Sequence, residues 1–295
     1  MSTKSHSRTH HVILHGGLGN QLFQWSFGHQ LALSGNPVQF TFYKRPYALE
    51  HTNASLGKFL PNCVHGSFLE RDLPNNPMGR VLLDPLHRWN FFSKAIGKVL
   101  DTTEDPFVAT NQFMLSNKTI HFGYYQSFCS VMTVESLILR EIWEVLENRT
   151  RTQLESDLAG LEVMHVRQGD TLTLSNKKKV GVLSSNYYNQ IPKKSVTPRI
   201  VLTDDVKGAK RLLSQLNIEA FFGPSELDVY QTLGVMARSQ TLYTANSTLS
   251  WWGGLLAQTR GAEVHIPNPF FRNFHPNPAL SFAYPGFNLL ESHFM

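Results

Sequence analysis

The residues able to do chemistry stand where short apolar runs end. Glu162 to Val166 runs into Arg167, Gln168, Gly169 and Asp170; Arg199 to Leu202 runs into Thr203, Asp204 and Asp205; Thr241 to Thr244 runs into Ala245, Asn246, Ser247 and Thr248. A guanidinium is a planar fork of donors that stays charged and grips a phosphate with two bonds, so Arg167 suits a leaving diphosphate. An ordinary ion pair with Asp170 is the alternative. Asp204 and Asp205 offer acceptors to a nucleoside, or make a turn and a helix cap. Asn246 or Ser247 would cap a helix whose first N–H groups form an anion seat, with hydroxyls from Ser247 and Thr248 beside it. Capping alone accounts for them equally. His165 either packs in the core or faces a ligand.

A second group lies near the N-terminus, where Gly16, Gly17, Leu18 and Gly19 separate a strand, His11 to Leu14, from a helical pattern, Asn20 to Leu33. The turn has the look of a dinucleotide fingerprint, but Leu22 stands in place of the third glycine. The next strand ends at Tyr43 and Lys44, with no acid to hold the ribose of NAD. Gly17 and Gly19 allow a ligand close to the backbone, and Asn20 would reach it from the first helical turn. A tight strand-to-helix turn is the plainer reading.

The elements that must position these groups follow an α/β pattern. In the second half, strands Glu162 to Val166, Arg199 to Leu202, Ile218 to Phe222, Thr241 to Thr244 and Glu263 to Ile266 alternate with helices Val206 to Gln215, Ser225 to Arg238 and Ser247 to Gln258. Such alternation builds a parallel sheet, and ligands bind outside the carboxyl ends of its strands. Trp251 and Trp252 read as core or cleft wall. In the first half, Val38, Phe40 and Phe42 alternate as a strand. Asp84 and Pro85 open a helix carrying Leu86, Trp89, Ile96 and Val99, another helix starts near Thr133, and Lys44 to Leu83 carries no clear period. Residues 1–10 read as a flexible tail, 11–150 as an N-terminal lobe and 151–295 as a C-terminal lobe, with the boundary in the broken stretch Asn148 to Leu161.

The chain's 295 residues, 41% hydrophobic and 17% charged, suffice for such a pair of lobes. The net charge of +5 is spread thinly, and Lys177, Lys178 and Lys179 form a short solvated run, so a phosphate-bearing small molecule is expected and nucleic acid is not. Cys63 and Cys129 are too few for a disulfide framework and lack zinc-site spacing. Asp204-Asp205 is not a D-x-D metal signature and no other divalent-metal cluster stands out, so metal-independent chemistry is expected. No run of about 18 apolar residues occurs, which excludes a transmembrane segment on this reading. The expected location is cytoplasmic, with peripheral contact at the inner face of the membrane left open.

Taken together, these segments resemble one family. Gly16-Gly17-Leu18-Gly19-Asn20-Gln21-Leu22-Phe23-Gln24 is similar to the N-terminal signature of the bacterial α-1,2-fucosyltransferases. His165-Val166-Arg167-Gln168-Gly169-Asp170 resembles the His-x-Arg-Arg-x-Asp motif of the wider superfamily. Ala245 to Gly253 is similar to the family's C-terminal donor-site motif. Gly123-Tyr124-Tyr125-Gln126-Ser127 and Thr203-Asp204-Asp205 fall between them in the expected order.

The resemblance implies a GT-B-like fold of two Rossmann-like lobes, the C-terminal one binding GDP-fucose and the N-terminal one on the acceptor side. It implies a galactoside α-1,2-fucosyltransferase-like enzyme that inverts the anomeric carbon. No cofactor or metal is required, and GDP-fucose is a substrate. The acceptor would be a glycan: an oligosaccharide, an O-antigen or a lipid-linked sugar. In that picture Arg167 contacts the diphosphate, with Asn246, Ser247 and Thr248 in support. Gly17, Gly19 and His165 line the donor site, Asp204 lies near the nucleoside, and Asn20 faces the reacting centre. Asp170 is the candidate base, or else an anchor for the Arg167 loop. Gln168 departs from the motif by replacing its second arginine. A related transferase using another nucleotide sugar therefore stays open, as does a catalytically silent nucleotide- or carbohydrate-binding protein.

Overall fold

Val12, Ile13 and Leu14 are all buried, although they follow one another in strand β1 (His10–Leu14). A strand paired on both edges and covered on both faces requires an apolar run rather than alternation. β1 meets that condition through parallel partners on either side. The computed structural model describes residues 9–44, 56–60, 66–72, 99–101, 119–148, 156–169, 180–272 and 282–295. The chain divides into two units, Met1–Val145 and Leu146–Met295.

The first unit holds a five-stranded sheet in the order β3-β2-β1-β5-β4, where β2 is Val38–Lys44, β3 Ser67–Asp72, β4 Val99–Asp101 and β5 Ile120–Phe122. Every pairing is parallel. Helix α1 (Leu18–Leu33) leaves the glycine turn and is buried without a break from Gln21 to Leu31, so it lacks a solvent stripe. Helices α2 (Leu56–Phe59), α3 (Phe128–Met132) and α4 (Glu135–Asn148) complete the described elements here. Two expectations are corrected. Ser67–Asp72, inside a stretch without a readable period, is a strand. Val99, expected on a helix face, opens β4 because it pairs with Ile120. The rest of that expected helix lies outside the described residues, as do Asp170 and Lys177 to Lys179.

The second unit holds a six-stranded sheet in the order β11-β10-β9-β6-β7-β8. Its strands are β6 (Glu162–Val166), β7 (Arg199–Thr203), β8 (Phe221–Phe222), β9 (Thr241–Tyr243), β10 (Glu263–Asn268) and β11 (Asn288–Glu291), again all parallel. Helices α5 (Ser185–Tyr188), α6 (Val206–Leu216), α7 (Val229–Ala237) and α8 (Thr248–Gln258) accompany it. On one face Met164, Val166 and Val201 pack with Tyr187, Tyr188, Ile191 and Leu213. On the other, Val163, Ile200 and Leu242 pack with Val235 and Met236 of α7.

α7 begins later than its sequence suggests, because Asp228 accepts from the Gln231 N–H at 2.7 Å and Gln231 accepts from the Asp228 N–H at 2.8 Å. This capping box starts the helix at Val229 and leaves Ser225 outside. β8 likewise shrinks to two residues. Trp251 and Trp252 are fully buried, which settles them as core, and the Trp251 indole N–H donates to the Phe282 carbonyl at 2.8 Å. Each unit is a parallel sheet with accompanying helices, which gives the expected α/β class and its two Rossmann-like lobes.

Candidate functional site

In the second unit the sheet order reverses between β6 and β9. From β6 the chain moves outward to β7, and from β9 it moves the opposite way to β10, so the loops leaving these neighbours diverge. Such a switch point is where an open α/β sheet receives a ligand. Arg167 follows β6 and Ser247 precedes α8, and across the gap Arg167 Nη1 donates to Ser247 Oγ at 3.3 Å. Ser247 is the N-cap residue of α8 and is extended (φ −129°, ψ 125°), but its hydroxyl makes no capping bond and so is available to Arg167. Thr248 opens the helix beside it and is mostly buried. The start of α8 thus joins a guanidinium, a hydroxyl and the positive end of a helix, a combination suited to an anion.

The surrounding polar residues fix this arrangement. Asn246 is fully buried and its amide donates to the carbonyls of Val180 at 3.2 Å and Gly181 at 3.0 Å. Tyr187 donates to the Thr244 carbonyl at 2.6 Å, and burial raises its phenol pKa well above the usual value. Asp204 Oδ1 accepts the N–H groups of Gln168 at 2.9 Å and Gly169 at 3.0 Å. Asp205 caps α6, accepting from Gly208 N–H at 3.0 Å. The adjacent carboxylates therefore do different work: one holds the turn after β6 and the other starts a helix. His165 is buried within β6.

The first unit carries Gly17, Gly19 and Asn20. Gly16 has φ +76°, and a Cβ there would fall 2.6 Å from Asn20 Nδ2, so the turn needs glycine for internal reasons. At Gly17 a Cβ would meet nothing within 4 Å, so the fold itself does not demand glycine there. Gly19 is buried in the first turn of α1. Asn20 Oδ1 accepts from Gln126 Nε2 at 2.8 Å. Gln126 follows Tyr125, a non-glycine residue at φ +52° whose ring stacks on Phe27 at 4.0 Å.

Sequence reasoning missed the glutamines that tie this region together. Gln24, fully buried, accepts from His15 N–H at 2.9 Å and donates to the Gly123 carbonyl at 2.9 Å, joining the ends of β1 and β5. Gln21 donates to the Gly16 carbonyl and accepts from Leu56 N–H, both at 2.9 Å. Their membership in the family-like segment around the glycine turn is the available signal, but neither follows a hydrophobic period.

The family model for glycosyl transferase family 11 matches residues 83–280, which takes in β6, β7, β9 and the start of α8. The chain belongs to glycosyl transferase family 11. The resemblance read from the motifs is thereby borne out, and Arg167 and Ser247 both lie within the matched residues. The glycine turn and Asn20 precede the matched residues. No curated protein matches in sequence.

Among solved structures, the family 11 chain is similar to the E. coli heptosyltransferase WaaC with ADP (12% identity, 96% of this chain and 93% of that one, TM-score 0.48). It is similar to a glycosyl transferase family 9 protein from Veillonella parvula (10% identity, 100% and 90%, TM-score 0.48). It is also similar to the α-1,6-fucosyltransferase NodZ soaked with GDP-fucose (13% identity, 85% and 92%, TM-score 0.47). These are distant likenesses. No helix among the described residues is long and apolar enough to cross a membrane.

Proposed function

We propose that this family 11 glycosyltransferase moves L-fucose from GDP-fucose onto a hydroxyl of a glycan, the 2-hydroxyl of a galactoside, with inversion and without a metal. The hydrogen bond from Arg167 to Ser247 at the head of α8 carries the reading. Transfer breaks the bond between the anomeric carbon and the diphosphate, and negative charge grows on the departing oxygen. A guanidinium and helix N–H groups already aimed at that charge stabilise it without reorganising. Because Arg167 is the donor in the bond to Ser247, the serine hydroxyl keeps its own hydrogen for a phosphate oxygen.

The acceptor hydroxyl attacks from the face opposite the diphosphate and gives its proton to a base, for which Asp170 is the candidate. The second unit takes the donor, with His165, Asn246, Ser247 and Thr248 around the phosphates. The first unit serves the acceptor, and its Gly17, Gly19 and Asn20 are candidate donor-site residues, with Asn20 also a candidate catalytic one. Gln168, in place of an arginine, supports a second reading in which another nucleotide sugar is the donor.

One experiment separates them. The purified protein is incubated with GDP-fucose, GDP-mannose or UDP-galactose and a panel of galactosides, and nucleotide release and product mass are followed. GDP release with a fucosylated galactoside is the expected result. Turnover with a different donor alone would establish the second reading, and turnover with none would remove the proposal.

A further inference from the structure

We infer that Asp204 is a positioning residue for Arg167, acting through the backbone of the turn after β6 rather than by accepting hydrogen bonds from the donor's nucleoside. The inference rests on the proposed donor site in the second unit. β6 and β7 are paired so that Val166 stands opposite Thr203, which sends Arg167 and Asp204 off neighbouring strand ends side by side. From there a single oxygen, Asp204 Oδ1, accepts two successive amides, Gln168 N–H at 2.9 Å and Gly169 N–H at 3.0 Å. An ionised acceptor makes these bonds stronger than neutral ones.

The approach is close enough to dictate the residue it holds. A Cβ on Gly169 would lie 3.0 Å from Asp204 Oδ2 and 3.3 Å from the Asp204 carbonyl, tighter than ordinary side-chain contacts, so glycine suits the pinned turn. Asp205 does not duplicate the bond, since its carboxylate is spent on the N–H of Gly208. Arg167 is held by the strand before it and by Ser247 at its guanidinium, and Asp204 fixes the turn just beyond it. Losing Asp204 would leave the guanidinium chemically intact but less firmly positioned against α8.

The test combines two measurements on Asp204→Ala, Asp204→Asn, Arg167→Ala and the double alanine variant, each checked for an unchanged melting profile. Amide hydrogen exchange at Gln168 and Gly169 reads the pin without any ligand, and calorimetry with GDP and with guanosine reads its consequence. In Asp204→Ala the two amides should exchange about tenfold faster or more, as expected for losing a charge-assisted bond. GDP affinity should fall by about tenfold while guanosine affinity holds. Asp204→Asn, which keeps an acceptor oxygen, should restore much of both, and the double variant should bind GDP no more weakly than Arg167→Ala alone.

Unchanged exchange at the two amides would overturn the inference. Losses that add to those of Arg167→Ala would do the same, as would guanosine affinity falling in step with GDP affinity, since that marks a nucleoside contact. A wild type that binds neither ligand would remove the donor-site reading instead, and the exchange rates would then decide alone whether Asp204 holds the turn.

Discussion

Arg167 and Ser247, 80 residues apart in sequence, meet at 3.3 Å where β6 and β9 end side by side. The contact depends on the reversal of strand order in the second sheet, which turns a distant pair into neighbours. In the first unit Asn20 and Gln126, 106 residues apart, meet at 2.8 Å beyond the ends of β1 and β5, which are also paired. Each unit thus joins two of the family-like segments at the carboxyl ends of adjacent central strands.

Replacing Ser247 by alanine removes the acceptor for Arg167 Nη1 and one hydroxyl facing the proposed diphosphate. The change should weaken GDP binding by about 0.5–1.5 kcal/mol, the usual worth of a hydrogen bond. α8 itself should persist, because the Ser247 side chain makes no capping bond. Calorimetry with circular dichroism checks both parts. A loss of helix together with binding would mean that Ser247 serves the fold.

Gln24 holds the glycine turn by bonding His15 N–H on one side and the Gly123 carbonyl on the other, with no exposure of its own. Gln24→Ala removes the acceptor of the buried His15 N–H, at a cost of about 1–3 kcal/mol, while the Gly123 carbonyl keeps its contact with His15 Nε2 at 3.2 Å. Chemical denaturation should show a loss of about 1–3 kcal/mol. A loss below about 0.5 kcal/mol would show that the backbone groups find other partners.

Stability should fall as the solution is acidified. His121 is fully buried, with Nε2 2.8 Å from His10 Nδ1 and its ring against Phe27. Burial first, then the neighbouring charges of His10 and His11, pushes its pKa down to about 3. In the unfolded chain an imidazole titrates near 6.5. Between those values the unfolded chain binds a proton that the folded one refuses, so the contribution is complete above about pH 6.5 and is lost toward pH 3 at roughly 1.4 kcal/mol per unit. Urea denaturation at about pH 7.5 and about pH 5.5 should give a shallower dependence for His121→Gln than for the wild type. Identical slopes would place the acid sensitivity elsewhere.

Because the proposed transfer draws its charge stabilisation from Arg167 and α8, chelation should not matter. Turnover with GDP-fucose in excess EDTA should match the untreated enzyme within about twofold, whereas a metal that bridged the diphosphate would be worth several kcal/mol. Abolished turnover, restored by magnesium or manganese, would contradict this.

Much of the second unit was legible because its strands are covered on both faces and appear as apolar runs: Glu162–Val166 is buried at every position. The polar residues after those runs, Arg167, Asp204 and Asn246, stand beyond the carboxyl ends of the adjacent strands β6, β7 and β9. β3 was not legible. Ser67–Asp72 alternates weakly and lies at the edge of its sheet, with its pairing to β2 as the organising contact. The late start of α7 depended on the reciprocal bonds of Asp228 and Gln231, which apolar spacing does not report. The work of Asp204 depended on strand register. The sequence suggested a ligand contact or a turn, and only the alignment of Val166 with Thr203 brings its carboxylate to the amides of Gln168 and Gly169.

In the proposed reaction Arg167 binds the diphosphate of a guanine nucleotide at the start of α8. Titration calorimetry of GDP without added metal, with the wild type and Arg167→Ala, measures that contact. Binding by the wild type and a loss of at least about 1.5–3 kcal/mol in the variant, the range for a hydrogen bond to a charged group, are expected. Equal affinity in the two proteins, or no guanine-nucleotide binding by the wild type, would contradict that contact.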